Sequence, residues 1–146
     1  MKKMFVLLLA AAITATSWAT PSKSPVSEKV LNAFASEFKN VTDARWASAE
    51  DFYIVTFTLN KETYKAWFTD EGGMEALQRN VTLAQMNVLS AKAAEELKQK
   101  GELVSIVEVN QKGELYYVVT TDDAKMVSTY KVQIDGTISK LSRKKK

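Results

Sequence analysis

The feature that most constrains the fold is a short alternating segment that occurs twice, each time just before a turn that contains aspartate and glycine. Residues 64–68 and residues 130–134 both begin with Tyr-Lys and place apolar side chains at every second position. Residues 70–72 (Asp-Glu-Gly) follow the first segment, and residues 135–136 (Asp-Gly) follow the second. Side chains alternate between the faces of a strand, and glycine suits tight hairpin turns. Tyr64 and Tyr130 lie 66 residues apart, so the chain is predicted to contain two copies of one unit.

Length and composition limit the functions that these copies can serve. A chain of 146 residues with 46% hydrophobic residues allows one ordinary domain, or two small repeats that share a core. Cysteine and histidine are absent, which removes disulfides, thiolate chemistry, and the commonest general base and metal ligand. The acidic pairs at residues 50–51, 70–71 and 122–123 lie at predicted turns, and no loop has the alternating acidic ligands of a calcium site. We therefore predict no catalytic residue, no metal site and no cofactor.

The positive charge is concentrated at the two ends of the sequence. The formal net charge is +3, with 20 basic and 17 acidic residues. Leaving out Lys2, Lys3 and the four basic residues 143–146 leaves 14 basic residues against 17 acidic ones. The high isoelectric point is thus poor evidence for a nucleic-acid partner. Residues 143–146 are predicted to form a solvated basic tail, with weak contact to an anionic envelope surface as the functional alternative.

The first nineteen residues have the pattern of a secretory signal peptide. Lys2 and Lys3 precede an apolar run of about a dozen residues, which is shorter than the roughly 20 needed to span a membrane. Ser17 and Ala19 place small residues where a signal peptidase reads them. We expect cleavage after Ala19 and a periplasmic or extracellular mature chain, with an N-terminal membrane anchor as the alternative.

The first copy is predicted to span residues 25–79. Ser24 and the following proline open a helix over residues 26–38, whose apolar residues recur at helical spacing. Strands are predicted over residues 40–47, 52–59 and 63–69, with a weaker fourth strand over residues 74–79.

The second copy is predicted to span residues 88–142. Ser90 is expected to cap a helix over residues 91–100. Strands follow over residues 103–109, 115–121 and 126–134, with a short one over residues 137–141. Short connections require antiparallel pairing, and the helices must then cover one face of the sheet. The predicted fold class is α+β, with two tandem helix-plus-antiparallel-sheet repeats, and the face opposite the helices, hereafter the open face, is expected to meet water.

The candidate partner-binding residues are those that alternation places on the open face. If Ala66 and Phe68 face the helices, Trp67 must point away from them. Aromatic side chains commonly anchor binding interfaces. The predicted partner-binding set is Trp67, Lys65, Ile54, Tyr116 and Lys131. The alternative for Trp67 is packing against cross-strand neighbours or under the N-terminal segment, and Trp46 is expected in the core.

Several of these residues carry a resemblance to a known family. The Ala-Arg-Trp of residues 44–46, the aromatic strand that ends at Phe57, the Ala-Trp-Phe of residues 66–68 and the aspartate–glycine turn resemble the PepSY-like secreted proteins of Bacteroidetes. That family is similar in fold to the beta-lactamase-inhibitory protein. The resemblance covers residues 30–141. The second copy departs from it, because Val107 takes the position that corresponds to Trp46, and Gln133 takes the position that corresponds to Trp67.

The resemblance implies tandem helix-plus-sheet units that form one curved antiparallel surface, and a family sometimes proposed to inhibit or bind enzymes. It implies no catalytic residue and names no partner. The predicted function is a secreted or periplasmic non-catalytic binding module, possessing an inhibitor-like open face that holds a protein or peptide. The alternative is a small-ligand or envelope-stress sensor with a pocket between helices and sheet, and a hydrolase is the third and weakest hypothesis.

Overall fold

The chain is an α+β protein in which two helices pack on one antiparallel sheet. The computed structural model describes residues 26–41 and 43–146, so the predicted signal peptide and the expected cap at Ser24 lie outside the described residues. In chain order the elements are α1 (Glu28–Glu37), β1 (Arg45–Ala49), β2 (Phe52–Leu59), β3 (Glu62–Phe68), β4 (Met74–Asn80), α2 (Val88–Leu97), β5 (Glu102–Gln111), β6 (Glu114–Asp122), β7 (Met126–Gln133) and β8 (Ile138–Lys145). Among the described residues, no helix has the length and apolar character needed to cross a membrane.

All eight strands belong to one sheet, and their spatial order is their order in the sequence. The sequence left open whether the two predicted units share a sheet. β4 and β5 answer this question, because they pair antiparallel from Ala76 opposite Gln111 to Asn80 opposite Val107. The connection between these two strands contains α2, flanked by short 3₁₀ turns at Leu83–Gln85 and Lys98–Lys100. The sheet therefore runs without interruption from the first half of the chain, α1 to β4, into the second half, α2 to β8.

The predicted alternation in β2 is confirmed residue by residue. Val55 and Phe57 are buried, and Val55 lies opposite Trp46 on β1 and Ala66 on β3. The same row continues to Leu77 on β4, so the weakly predicted fourth strand is real and completes the first half.

The first half is held to its helix by aromatic rings. Phe34 of α1 meets Phe57 edge-on with ring centroids 5.1 Å apart, and Phe38 lies 4.6 Å from the same ring. Trp46 packs edge-on against Phe34 at 5.4 Å, as expected for a core residue. Tyr64 stacks on the other side of Phe57 at 5.7 Å.

The second half packs α2 on the same face of the sheet, with smaller side chains. Ala94 and Leu97 lie against Ile106 and Val119, all of them buried. The ladder between β4 and β5 shows that this is the α1 side of the sheet, since Arg79 and Glu108 lie opposite each other and share a face with Leu77 and Ile106.

α1 begins later than predicted and α2 begins earlier, because residues other than the predicted ones cap them. Ser27, three residues after Ser24, is the cap of α1, and its side chain accepts a hydrogen bond from the Val30 amide. Asn87 caps α2 by accepting from the Ser90 amide at 3.0 Å. Ser90 is instead buried inside the helix, where its Oγ donates to the Gln133 carbonyl oxygen at 2.8 Å. Ser90 therefore tethers α2 to the sheet and does not cap it.

The residues expected to form a basic tail are mostly strand. β8 pairs Arg143 with Ser128, Lys144 with Val127 and Lys145 with Met126. A run of consecutive charges is typical of a solvated tail. An edge strand can also carry such a run, because both of its side-chain faces are exposed while its backbone is hydrogen-bonded to one neighbouring strand.

A polar group joins the two halves on the helix side of the sheet. The Arg79 side chain donates from Nε to Glu108 Oε1 at 2.8 Å and from its terminal nitrogen to Glu62. Tyr64 and Gln85 also donate to the Glu62 carboxylate. The hydrogen bond from Arg79, supported by its charge, holds the pKa of Glu62 below its usual value. This cluster lies on the sheet surface between the core under α1 and the core under α2.

Candidate functional site

The first group of predicted site residues meets on β2 and β3. Ile54 lies directly opposite Trp67 in the register, and Lys65 lies opposite Thr56. The Lys65 Nζ lies 6.0 Å from the Trp67 ring centroid, at the limit of a cation–π contact. All three side chains lie opposite the helices, as strand alternation predicted.

The second group lies on β6 and β7. Lys131 Nζ sits 4.1 Å above the Tyr116 ring and 2.7 Å from Glu114 Oε1. The Tyr116 hydroxyl donates to Gln111 Oε1 at 2.9 Å. Burial raises the pKa of Tyr116, and the negative charge of Glu114 adds to the effect. Tyr116 is therefore a neutral, fixed ring with an ammonium group held across it.

The two groups are separate sites on one surface. β4 and β5 lie between β3, which carries Trp67, and β6, which carries Tyr116. Three strand spacings correspond to about 14 Å. A ligand that touches both groups must therefore extend over about 14 Å and cross β4 and β5.

The aromatic rings are less accessible than the sequence suggested. Trp67 and Tyr116 are each only 7% exposed, while Lys65 is exposed. Each ring is flanked by a lysine stem and by cross-strand neighbours, since Trp67 lies between Ile54 and Ala76 in the register. Trp67 points to the open face, as predicted. Its ring is covered by cross-strand neighbours, which was the alternative to a free binding surface.

An apolar cluster on the open face was not predicted. Val107, Val109 and Val118 are buried together with Tyr116 on the side opposite α2. The expectation that this face meets water is thus wrong for the second half. The signal was present in β5 and β6, where Ile106-Val107 and the run 117–119 place apolar side chains on both faces, a pattern typical of strands buried on both sides.

Gln78 is a further open-face residue that sequence reasoning missed. It lies on β4 opposite Lys65 on one side and Val109 on the other, between the two predicted groups. Its Oε1 is buried and accepts no hydrogen bond from any described residue. A buried carbonyl oxygen without a donor costs about 1–3 kcal/mol, so Gln78 is a locally unfavourable position in the middle of the open face.

Within residues 26–41 and 43–146, no group of three or more acidic side chains converges to hold a metal ion.

Comparison with known proteins was made by sequence and by structure. The sequence matches no family model and no curated protein. Three solved structures from Bacteroides superimpose along most of their length. One is a Bacteroides eggerthii protein provisionally assigned to the periplasm (TM-score 0.73, 15% identity, 84% of this chain and 90% of the other). Another is a BLIP-like protein of Bacteroides fragilis (TM-score 0.72, 16% identity, 85% and 89%).

The third is a DUF2874 family protein of Bacteroides uniformis, with a TM-score of 0.72, 17% identity, and coverage of 84% of this chain and 90% of the other. This chain shares their fold. At such low identity the likeness is one of architecture, because the same fold can carry unrelated sites. The residues of this chain's own surface must therefore supply the argument for function.

Proposed function

We propose that this chain is a non-catalytic binding module of the periplasm that holds a protein or peptide partner on its open face. The observation that carries the proposal is that one sheet face holds two lysine-and-ring groups, Lys65 with Trp67 and Lys131 with Tyr116. A partner that crosses β4 and β5 would reach both groups. The signal-like leader and the neighbour provisionally assigned to the periplasm support the location.

The open face offers a partner two kinds of contact. Lys65 is exposed and has no ion-pair partner among the described residues, so it can receive a carboxylate. Trp67 and Tyr116 are held in place by their neighbours, so little side-chain entropy is lost when a partner packs on their edges. The geometry is inhibitor-like in the sense that a rigid sheet presents fixed anchors to another protein.

The interpretation as a PepSY-like pair of tandem repeats also belongs to this proposal. Each half brings a glycine turn against the carbonyl of the second residue of its helix. A Cβ on Gly72 would lie 3.2 Å from the Lys29 oxygen, and one on Gly136 would lie 3.1 Å from the Leu89 oxygen. Such a matched contact in both halves supports descent from one duplicated unit.

The alternative of a small-ligand sensor with a pocket between helices and sheet gains no support from the packing. Phe34, Phe38 and Phe57 fill the space under α1, and Ala94 with Leu97 fills the space under α2. No described contact favours a hydrolase.

Site-specific photocrosslinking tests the proposal. A photoreactive amino acid is placed at Lys65 on the open face or at Lys92, an exposed lysine of α2, and the cells are irradiated. The proposal expects a discrete protein adduct from position 65 and none from position 92. Lys65→Glu should then weaken the purified complex about fivefold or more, because it removes about 1 kcal/mol of polar contact. Adducts from position 92 alone would overturn the proposal.

A further inference from the structure

The two edges of the sheet differ in how much backbone they leave free. β1 has only five residues, and the Thr58 amide of β2, which lies beyond the start of β1, donates to Asp43 Oδ1 at 2.9 Å. β8 has eight residues and pairs only with β7 within the described part of the chain. At about 3.3 Å per residue it presents roughly 26 Å of edge.

The ladder with β7 shows which groups of β8 point outward. The Lys146 amide donates to the Lys125 carbonyl oxygen at 3.1 Å, which marks a hydrogen-bonded pair. Such pairs alternate with non-hydrogen-bonded pairs along an antiparallel ladder. Counting back from Lys146, Lys145 and Arg143 fall at non-hydrogen-bonded positions. The N–H and C=O groups of Arg143 and Lys145 therefore point away from β7, along the free edge.

This edge also carries a concentration of positive charge. Residues 138–146 contain five basic residues and no acidic residue. Lys146 Nζ lies 2.6 Å from Asp122 Oδ1, whereas the other four have no ion-pair partner among residues 26–41 and 43–146. Ile138 and Leu141 are partly exposed on the same strand and add apolar surface.

We propose that the β8 edge binds an extended acidic segment of a partner protein as a ninth strand. The partner backbone would bond to the outward groups of Arg143 and Lys145, and its carboxylates would face the four unpaired basic side chains. A second copy of this chain is a poor occupant, because its β8 would place like charges opposite each other. A lipid surface would use the charges but leave the backbone groups unpaired, so a peptide fits both observations. This edge is distinct from the open face, and the proposal does not depend on the function of that face.

The first test separates backbone pairing from charge. The purified full chain is titrated with a fluorescent ten-residue peptide of alternating Glu and Val, and with the same peptide N-methylated at every second residue. N-methylation keeps the charge and removes the hydrogen bonds along one edge. We expect the unmodified peptide to bind about tenfold tighter, since two net hydrogen bonds are lost. Equal affinities would overturn strand addition.

A pair of variants makes the same test from the protein side. Arg143→Pro removes the outward N–H together with the charge, and Arg143→Ala removes the charge alone. Proline is tolerated on edge strands where the N–H faces solvent, and thermal unfolding verifies that both variants fold. We expect Arg143→Pro to bind the unmodified peptide at least about threefold more weakly than Arg143→Ala, because one hydrogen bond is lost. Equal binding by the two folded variants would contradict the proposal.

Two further measurements address the other occupants. Lys145→Glu should weaken peptide binding, whereas the matched change Lys92→Glu on α2 should not. Binding of the wild-type chain to vesicles that contain anionic phospholipid, without binding to the peptide, would replace the proposal by a lipid surface. Self-association in sedimentation that Arg143→Pro abolishes would replace it by a second copy.

Discussion

The two halves of the sheet support their helices with different side chains. Under α1, Phe34, Phe38 and Phe57 form a ring cluster, and Trp46 closes its side. α2 itself contributes only alanines and Leu97, and these pack with aliphatic residues and with the buried rings of Tyr117 and Tyr130 on the sheet. A helix that contributes rings is held by a few large edge-to-face contacts, whereas a helix that contributes alanines and leucine relies on many small ones. The same layer arrangement thus tolerates two packing solutions, provided that each fills its space.

The open face shows the opposite contrast. In the first half it carries threonines and the exposed Lys65 around a covered Trp67. In the second half it carries the buried cluster of Val107, Val109 and Val118. The second half therefore has a cluster of buried apolar side chains on each face of its sheet, which removes more apolar surface from water than burial on one face alone.

The largest expected effect comes from comparing a ring with an aliphatic side chain at equivalent depth. Phe57→Ala should lower the free energy of unfolding by about 4 kcal/mol, and Leu97→Ala by about 3 kcal/mol. Both residues are fully buried, but Phe57 also loses contacts with the rings of Phe34 and Phe38. Urea denaturation of the two variants measures the difference. If Leu97→Ala is the more damaging change, the rings do not provide the additional stability of the first half.

A smaller effect tests whether the two halves use the same turn. Gly72 and Gly136 have positive φ values and lie against helix carbonyls, so Gly72→Ala and Gly136→Ala should each cost about 2–3 kcal/mol. Gly113→Ala is the control, because Gly113 has the same φ but open space around it, and about 1 kcal/mol is expected there. Thermal unfolding of the three variants gives the order. If Gly136→Ala lowers the unfolding temperature only as much as Gly113→Ala does, while Gly72→Ala lowers it more, the glycine–helix contact stabilises the first half but not the second.

The smallest effect concerns the polar group between the halves. Because the folded-state pKa of Glu62 is lowered, its contribution to stability is present above the unfolded pKa and is lost as pH falls through the folded pKa. Glu62→Gln cannot take up this proton, so its unfolding temperature should fall less than that of the wild type between about pH 6 and about pH 3. Glu96→Gln, an exposed change on α2, is the control. If the unfolding temperatures of wild type and Glu62→Gln fall equally with pH, the Glu62 carboxylate does not stabilise the contact between the halves.

Sequence reasoning performed well wherever the decisive interaction was local. Strand β2 was predicted to the residue, and the opposite directions of Ala66 and Trp67 follow from alternation alone. The helix starts were less accurate because several serines and asparagines compete as caps, and only the packing of Ser90 against Gln133 shows which role it has. The basic residues of β8 looked like a tail because their composition outweighed a strand signal that depends on β7.

The amino-acid sequence by itself determined which segments are helices and strands and toward which side most strand residues point, because alternation is fixed by the geometry of each strand. Tertiary structure alone decided that β4 and β5 fuse the halves into one sheet, that Trp67 and Tyr116 are covered, and that Gln78 lacks a donor. Covering a ring or satisfying a carbonyl depends on side chains brought from strands distant in the chain. No short window of residues contains that information.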